Sequence, residues 1–239
     1  MKKFYITALG IIGVFLFALA SPAKGQSLKV GAKGGYNLST VALDYTKAYD
    51  FRSGYSGGIF GEYQFGGMPL SVAVEAHFME YGANDIEPSL IYYSESPLLT
   101  GTPLEKSHLR FRSVEVPLLV KFQLPFLENL SPGIYLGSSY NYIYQADNLN
   151  EFSDDLDEFE GDKVGTADID DRIRNYDVTG IAGLGLEVDM APLVLTLDAR
   201  YRMGFRNLNN VAGHDAFTAH SWQFMAGVAY NINLGSGGE

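Results

Sequence analysis

The sequence predicts an all-β fold, an eight-stranded antiparallel up-and-down transmembrane β-barrel. Three observations predict it. Apolar residues recur with period two in eight stretches of about ten residues, the length a tilted strand needs to cross a bilayer. Short connections alternate with long ones. Beyond the N-terminal leader, no stretch approaches the ~18 to 20 consecutive apolar residues of a spanning helix.

The leader comes first. Lys2 and Lys3 precede an apolar run from Phe4 to Ala20, broken only by Thr7, Gly10 and Gly13, and Ser21-Pro22-Ala23-Lys24-Gly25 follows. This pattern predicts a cleaved secretory signal peptide over 1–25, with 26–239 as one barrel domain. The chain has no cysteine, which excludes a lipid-modified N-terminus, disulfides and thiol chemistry. Without the leader, 14 Lys and Arg stand against 28 Asp and Glu, a formal charge near −14 that argues against nucleic acid as a partner.

In the first predicted strand Leu28, Val30, Ala32, Gly34, Tyr36 and Leu38 face one way, and Lys29, Lys33 and Asn37 the other. The second sets Tyr55, Gly57, Ile59, Gly61, Tyr63 and Phe65 against Ser56, Phe60, Glu62 and Gln64. The third sets Leu70, Val72, Val74, Ala76 and Phe78 against Ser71, Glu75, His77 and Met79. The fourth sets Val114, Val116, Leu118, Val120 and Phe122 against Ser113, Glu115, Lys121 and Gln123. The fifth sets Ile134, Leu136, Ser138, Tyr140, Tyr142 and Tyr144 against Tyr135, Gly137, Ser139 and Asn141. The sixth sets Val178, Gly180, Ala182, Leu184, Leu186 and Val188 against Asp177, Thr179, Gly183, Gly185 and Glu187. The seventh sets Leu193, Leu195, Leu197, Ala199, Tyr201 and Met203 against Thr196, Asp198, Arg200 and Arg202. The eighth sets Trp222, Phe224, Ala226, Val228, Tyr230 and Ile232 against Ser221, Gln223 and Asn231.

Short turns are expected at Gly66-Gly67, at 125–131 and at Met190-Ala191-Pro192, and long loops at 41–50, 84–109, 146–173 and 206–219. In an outer-membrane barrel the short side and both termini face the periplasm. A soluble eight-stranded barrel would bury its apolar face. Here that face carries Tyr36, Tyr55, Tyr63, Tyr144, Tyr201 and Trp222 near the strand ends, the positions of an interfacial aromatic girdle. The apolar face is therefore assigned to lipid.

The polar face must then line an interior only wide enough for its own side chains. Glu62, Glu75, Glu115, Glu187 and Asp198 are expected to pair with Lys33, Lys121, Arg200 and Arg202 as a plug. Gly31, Gly35, Gly137, Gly183 and Gly185 are expected to make room for the arginines. The plug implies a structural or interaction protein working through its loops. The alternatives are a narrow porin-like path past Arg200 and Arg202, and a rim-site enzyme. His77 beside Glu75 reads as a plug hydrogen bond before it reads as an acid–base pair. His108 by Ser107, His214 by Asp215 and His220 by Ser221 lack a Gly-x-Ser-x-Gly elbow, and no catalytic site is assigned.

From Asp147 to Asp171 the third long loop holds eleven acidic residues and one basic one, Lys163, densest at Asp154, Asp155, Asp157, Glu158, Glu160 and Asp162. It lacks the register of a calcium loop and reads as a solvated acidic segment; no metal or cofactor is assigned. The second long loop mixes Ile91, Tyr92, Tyr93, Leu98 and Leu99 with Pro88, Pro97 and Pro103, a composition that points to a packed loop or a protein partner.

Several motifs carry a family resemblance. Val30-Gly31-Ala32-Lys33-Gly34-Gly35-Tyr36-Asn37-Leu38-Ser39, the Glu75–Gly82 strand end and Val114-Glu115-Val116-Pro117-Leu118-Leu119-Val120-Lys121 are three of them. Gly133-Ile134-Tyr135-Leu136-Gly137, Gly183-Leu184-Gly185-Leu186-Glu187 and Asp198-Ala199-Arg200-Tyr201-Arg202-Met203-Gly204 complete the set. Together they resemble the porin-like outer-membrane β-barrel domain family of Gram-negative bacteria, PorT type, over nearly the whole mature chain. The resemblance implies contact with outer-membrane lipid and lipopolysaccharide, insertion by the barrel-assembly machinery, and no particular activity. The chain departs from it by ending on Gly235 to Glu239 after Leu234, where such barrels tend to end on an aromatic residue.

Overall fold

The computed structural model describes residues 26–43, 47–86, 104–124, 127–152, 164–211, 213 and 215–234. The leader, the apolar part of the second loop, the densest acidic stretch, His214 and the C-terminal tail lie outside them.

Eight long strands form the wall: β1 (Ser27–Leu43), β2 (Asp50–Gln64), β3 (Leu70–Asn84), β4 (Leu104–Gln123), β5 (Leu130–Phe152), β6 (Tyr176–Met190), β7 (Leu193–Gly204) and β8 (Phe217–Asn233). Each pairs antiparallel with its neighbours in sequence, and β8 returns to β1 from Ser27↔Asn233 to Leu43↔Phe217, so the sheet closes. Closure leaves no edge, which hydrocarbon demands because it offers backbone groups no partner. Two short strands, Lys47–Ala48 and Val164–Asp168, hang on β1 and β5 outside the wall.

The pairs Lys29↔Glu62↔Ala73↔Leu119↔Gly137↔Ile181↔Arg202↔Ser221↔Ser39 run once round the barrel and return to β1 ten residues further on. That stagger corresponds to a strand tilt of about 40°. Pro117 lacks an N–H, and the β3–β4 ladder lapses beside it, between Val74↔Leu118 and His77↔Glu115. The turns fall where expected. Gly67 takes φ +74 in the β2–β3 turn, a left-handed value open to glycine, and Ala191-Pro192 alone joins β6 to β7. Both ends of the described chain lie beside these turns, with Leu234 N donating to Gln26 O at 2.9 Å.

The two faces sort as the alternation requires. Ile59, Phe78, Leu136 and Leu184 stand at least 63 % exposed on the outer wall, while Lys33, Glu62, Glu75, Glu115 and Arg200 are buried inside. Tyr63 departs from the expected girdle. It is 1 % exposed, its ring edge-on to Phe65 at 5.1 Å, so the pair packs on itself instead of lying open to lipid.

The strands outrun the predicted loops. Residues 104–112 and 146–152 belong to β4 and β5, with an irregularity between Arg112 and Ser113 where β5 carries Tyr144 as an extra residue. There the chemistry of the faces reverses. Inside, Met79, Tyr81, Leu109, Phe111, Ile143 and Phe217 join an apolar cluster. Outside, Arg110 Nη2 donates to Asp147 Oδ2 at 2.7 Å, and Glu80 meets Arg112 at 3.4 Å and Arg52 at 3.7 Å. An apolar inside and a charged outside are those of a barrel in water. The strands therefore rise out of the bilayer at the loop end.

Truncating Phe111 to Ala is accordingly expected to destabilise the folded barrel by roughly 3–5 kcal/mol. Phe78→Ala, facing lipid, should cost far less. Urea unfolding of both variants in detergent micelles checks this, and equal losses would refute the reversal of faces.

Candidate functional site

The inward residues of the membrane-level strands are mostly charged, and burial obliges each to find a partner. The closed sheet supplies those partners by bringing together residues far apart in sequence. At the turn end, Lys29 and Lys121 meet Glu62 and Glu187. Lys121 Nζ donates to Glu62 Oε2 at 2.6 Å, Lys29 bonds Glu187, and the cross pairs Lys29–Glu62 and Lys121–Glu187 stand at 3.5 and 3.8 Å. Ser71 Oγ donates to the second Glu62 oxygen at 2.8 Å.

One layer further in, Lys33 and Arg200 meet Glu75 and Asp198. Lys33 Nζ donates to Glu75 Oε1 at 2.9 Å and to Asp198 Oδ2 at 2.7 Å. Arg200 Nη1 donates to Glu75 Oε2 at 2.7 Å, and Nη2 reaches Asp198 Oδ2 at 3.3 Å. The lysine lies over the Phe60 ring, 4.4 Å from its centroid, and Arg200 Nε donates to Tyr135 Oη at 3.3 Å. Above this quartet Arg202 Nε donates to Glu115 Oε1 at 2.8 Å and Nη1 to Ser221 Oγ at 3.0 Å. The three layers hold five cations and five carboxylates, and the apolar cluster of the loop end closes the lumen over them.

All nine residues expected in the plug take part. Lys29, on the inward face of β1, is the tenth, and only its height beside Glu62 and Glu187 reveals it. The glycines do a different job from the one expected. A side chain at Gly183 would strike the Tyr135 ring, one at Gly185 would crowd Asp198 and Tyr135, and one at Gly137 would strike the Leu118 carbonyl oxygen and then the Leu119 side chain. Gly31 and Gly35 instead admit the β8 backbone at Ala229 and at Phe224–Met225. The bulky ring of Tyr135, not an arginine, fills the space that Gly183 and Gly185 leave.

His77, His108 and His220 are the histidines among the described residues, and each has its own surroundings. His77 is buried with Nε2 at 3.3 Å from Glu75 Oε2, yet neither ring nitrogen makes a hydrogen bond, contrary to the expected plug bond. Lys33 and Arg200 already engage both Glu75 oxygens. Gly58, across the β2–β3 pair, leaves the space the His77 ring fills. His108 Nδ1 accepts from Asp85 N at 3.4 Å, while Ser107 Oγ donates to Asn148 Oδ1 at 2.7 Å. His220 bonds Tyr201 Oη and Thr218 Oγ1, while Ser221 serves Arg202. At the flanks of the acidic segment Asp147 holds Arg110, and Asp170 Oδ1 accepts from Ala146 N at 2.6 Å. Among the described residues no cluster of three metal-ligating side chains assembles.

Residues 21–210 match the model of the family described as outer membrane protein beta-barrel domain, most of the chain, and the chain belongs to that family. A search of the curated proteins found no match. Among solved structures, the attachment invasion locus protein Ail of Yersinia pestis is 18 % identical, with 88 % of this chain and 100 % of that one covered and a TM-score of 0.40. OprG of Pseudomonas aeruginosa is 14 % identical over 88 % of this chain and 97 % of its own, at 0.44. A major outer membrane protein of Thermus thermophilus is 11 % identical over 87 % and 100 %, at 0.49. The family match, and not these distant structures, carries the assignment to the outer membrane.

Removing Glu75 leaves two buried cations, Lys33 and Arg200, to share the single carboxylate of Asp198. Glu75→Ala is expected to destabilise the barrel by about 3–5 kcal/mol. Replacing the quartet together (Lys33→Met, Glu75→Leu, Asp198→Leu, Arg200→Met) should restore most of that loss. The temperature at which the folded band disappears in heated gel electrophoresis reads both effects, and an unaltered Glu75→Ala band would refute the coupling.

Proposed function

We propose that this member of the outer-membrane β-barrel family is a non-enzymatic structural and interaction protein that works through its loop end and keeps its lumen closed. The observation that carries the reading is the stack of balanced ion pairs across the whole lumen, capped by packed apolar side chains. A transport path past Arg200 and Arg202 draws less support, since Arg200 is 0 % exposed and both guanidiniums are held by carboxylates.

In this reading the turn end and both termini face the periplasm, and the raised parts of β4 and β5 face outward with the acidic and tyrosine-rich segments. The wall meets outer-membrane lipid and lipopolysaccharide, the barrel-assembly machinery inserts it, and a protein partner is met at the loops. The order and spacing of the Val30–Ser39, Val114–Lys121 and Asp198–Gly204 motifs support a finer placing in the PorT type.

The refolded protein in a planar bilayer is expected to pass no discrete current steps. Steps in the wild type that vanish in Arg200→Ala, Arg202→Ala would overturn the closed lumen in favour of transport. An epitope inserted after Asp157 should be reached by antibody on intact cells, and one at the C-terminus only after permeabilisation. The opposite pattern would reverse the orientation.

A further inference from the structure

Nearly every cation whose side chain is described has a carboxylate. The lumen matches its own, and outside, Arg52, Arg110 and Arg112 are shared between Glu80 and Asp147. Arg174 and Arg206 are exceptions, for among the described residues neither makes an ion pair or a side-chain hydrogen bond.

The fold nevertheless holds these two together. Arg174 precedes β6, and its backbone N donates to Leu208 O at 2.8 Å; Ile173 bridges Asn209 beside it. The segment after β7, which contains Arg206, is thereby fastened to the segment before β6. The Arg206 guanidinium lies over the Tyr176 ring, 3.4 Å from its centroid, and its Nη1 is shielded with no hydrogen-bond partner. Desolvation first, and the neighbouring Arg174 charge second, hold that guanidinium below its ordinary value. In a chain with twice as many acids as bases after its leader, these two neighbouring arginines have no carboxylate partner among the described residues.

The surroundings locate this pair relative to the bilayer. Tyr176 stacks on Tyr140 at 5.9 Å between centroids, and Tyr142 is its partner across the β5–β6 ladder. All three face outward and are exposed, as is Phe205, whose ring covers Gly180. Towards the turn end the same outer face continues as Leu136, Ile134, Val178 and Leu184, all exposed and apolar. Towards the loop end it gives way to the Arg110–Asp147 pair. Arg206 thus sits on an aromatic shelf, with the Arg174 charge beside it, at the edge of the apolar band, the depth at which Tyr marks the headgroup region.

We propose that Arg174 and Arg206, on the shelf of Tyr140, Tyr142 and Tyr176, bind the phosphate of a membrane lipid in the leaflet that meets the loop end. A guanidinium recognises phosphate through paired N–H donors, and a basic residue near a membrane surface gains from anionic headgroups. The lipid is favoured over a free anion because the shelf is outward, aromatic and level with headgroups. A soluble phosphate would gain nothing from the rings, whereas the acyl chains below a headgroup would lie along Leu136, Val178 and Leu184. The proposal rests on the barrel's place in the membrane and is independent of the loop role proposed above.

The test uses the full mature chain reconstituted in phosphatidylcholine vesicles, with spin-labelled phosphatidic acid and spin-labelled phosphatidylcholine compared by electron paramagnetic resonance. The wild type is expected to hold the phosphatidic acid label several-fold more strongly in the motionally restricted fraction. Arg174→Gln, Arg206→Gln should remove that preference while keeping the heat-dependent gel shift of a folded barrel. Arg110→Gln, which loses a paired arginine, should keep it. If the double variant does not fold, each single Gln variant is expected to lower the preference, and Arg206→Lys to keep part of it. No preference in the wild type, or equal preference in the Gln variants, overturns the proposal. Displacement of the label by millimolar inorganic phosphate at constant ionic strength overturns the lipid as its source.

Discussion

Hydrocarbon gives a peptide group nothing to bond with, so every backbone donor and acceptor at membrane depth must find its partner within the chain. The return of β8 to β1 over seventeen residue pairs meets that demand, and the rest of the structure follows from it. Once the sheet is closed there is one inside and one outside, and period-two alternation commits every side chain to one of them. A shift of one residue in β3 or β7 would place Glu75 or Arg200 in lipid. Register is therefore enforced by the charges as strongly as by the apolar residues.

The interior is governed by the same constraint. A lumen of eight strands admits little water, so its charges are stable only as neutral groups. The two quartets meet this by crossing the barrel: Lys33 on β1 reaches Glu75 on β3 and Asp198 on β7, and Lys121 on β4 reaches Glu62 on β2. Such pairs tie strands that share no backbone hydrogen bonds, in the way a hydrophobic core ties the layers of a soluble protein. Phe60 and Tyr135 add ring faces to Lys33 and Arg200 beside the carboxylates those cations already hold.

At the loop end the solvent changes and the rule changes with it. Above the irregularity at Arg112/Ser113, water satisfies the outer polar groups, and the lumen can hold an ordinary apolar core around Phe111, Tyr81 and Leu109. The molecule is an inside-out barrel continued upward by a conventional one. The aromatic shelf at Tyr140, Tyr142 and Tyr176 marks the level between them, and Arg206 stands on it.

The period-two pattern by itself determined the eight strands, their faces, the turn positions and nine of the ten plug charges, because alternation and charge are local properties of a strand. It did not determine where the strands stop. Leu109, Phe111 and Ala146 still alternate, but with charged neighbours on the outer side, and read as loop to anyone seeking an apolar outer face. Nor could sequence pair Lys33 with Asp198, 165 positions away, or bring Lys29 into the plug. Those depend on the ten-residue stagger, which sets the height of each side chain and exists only once the barrel is closed. The space that Gly183 opens for Tyr135, and the meeting of Arg174 with Arg206, belong to the same class: contacts between strands and connections that only tertiary closure brings within reach.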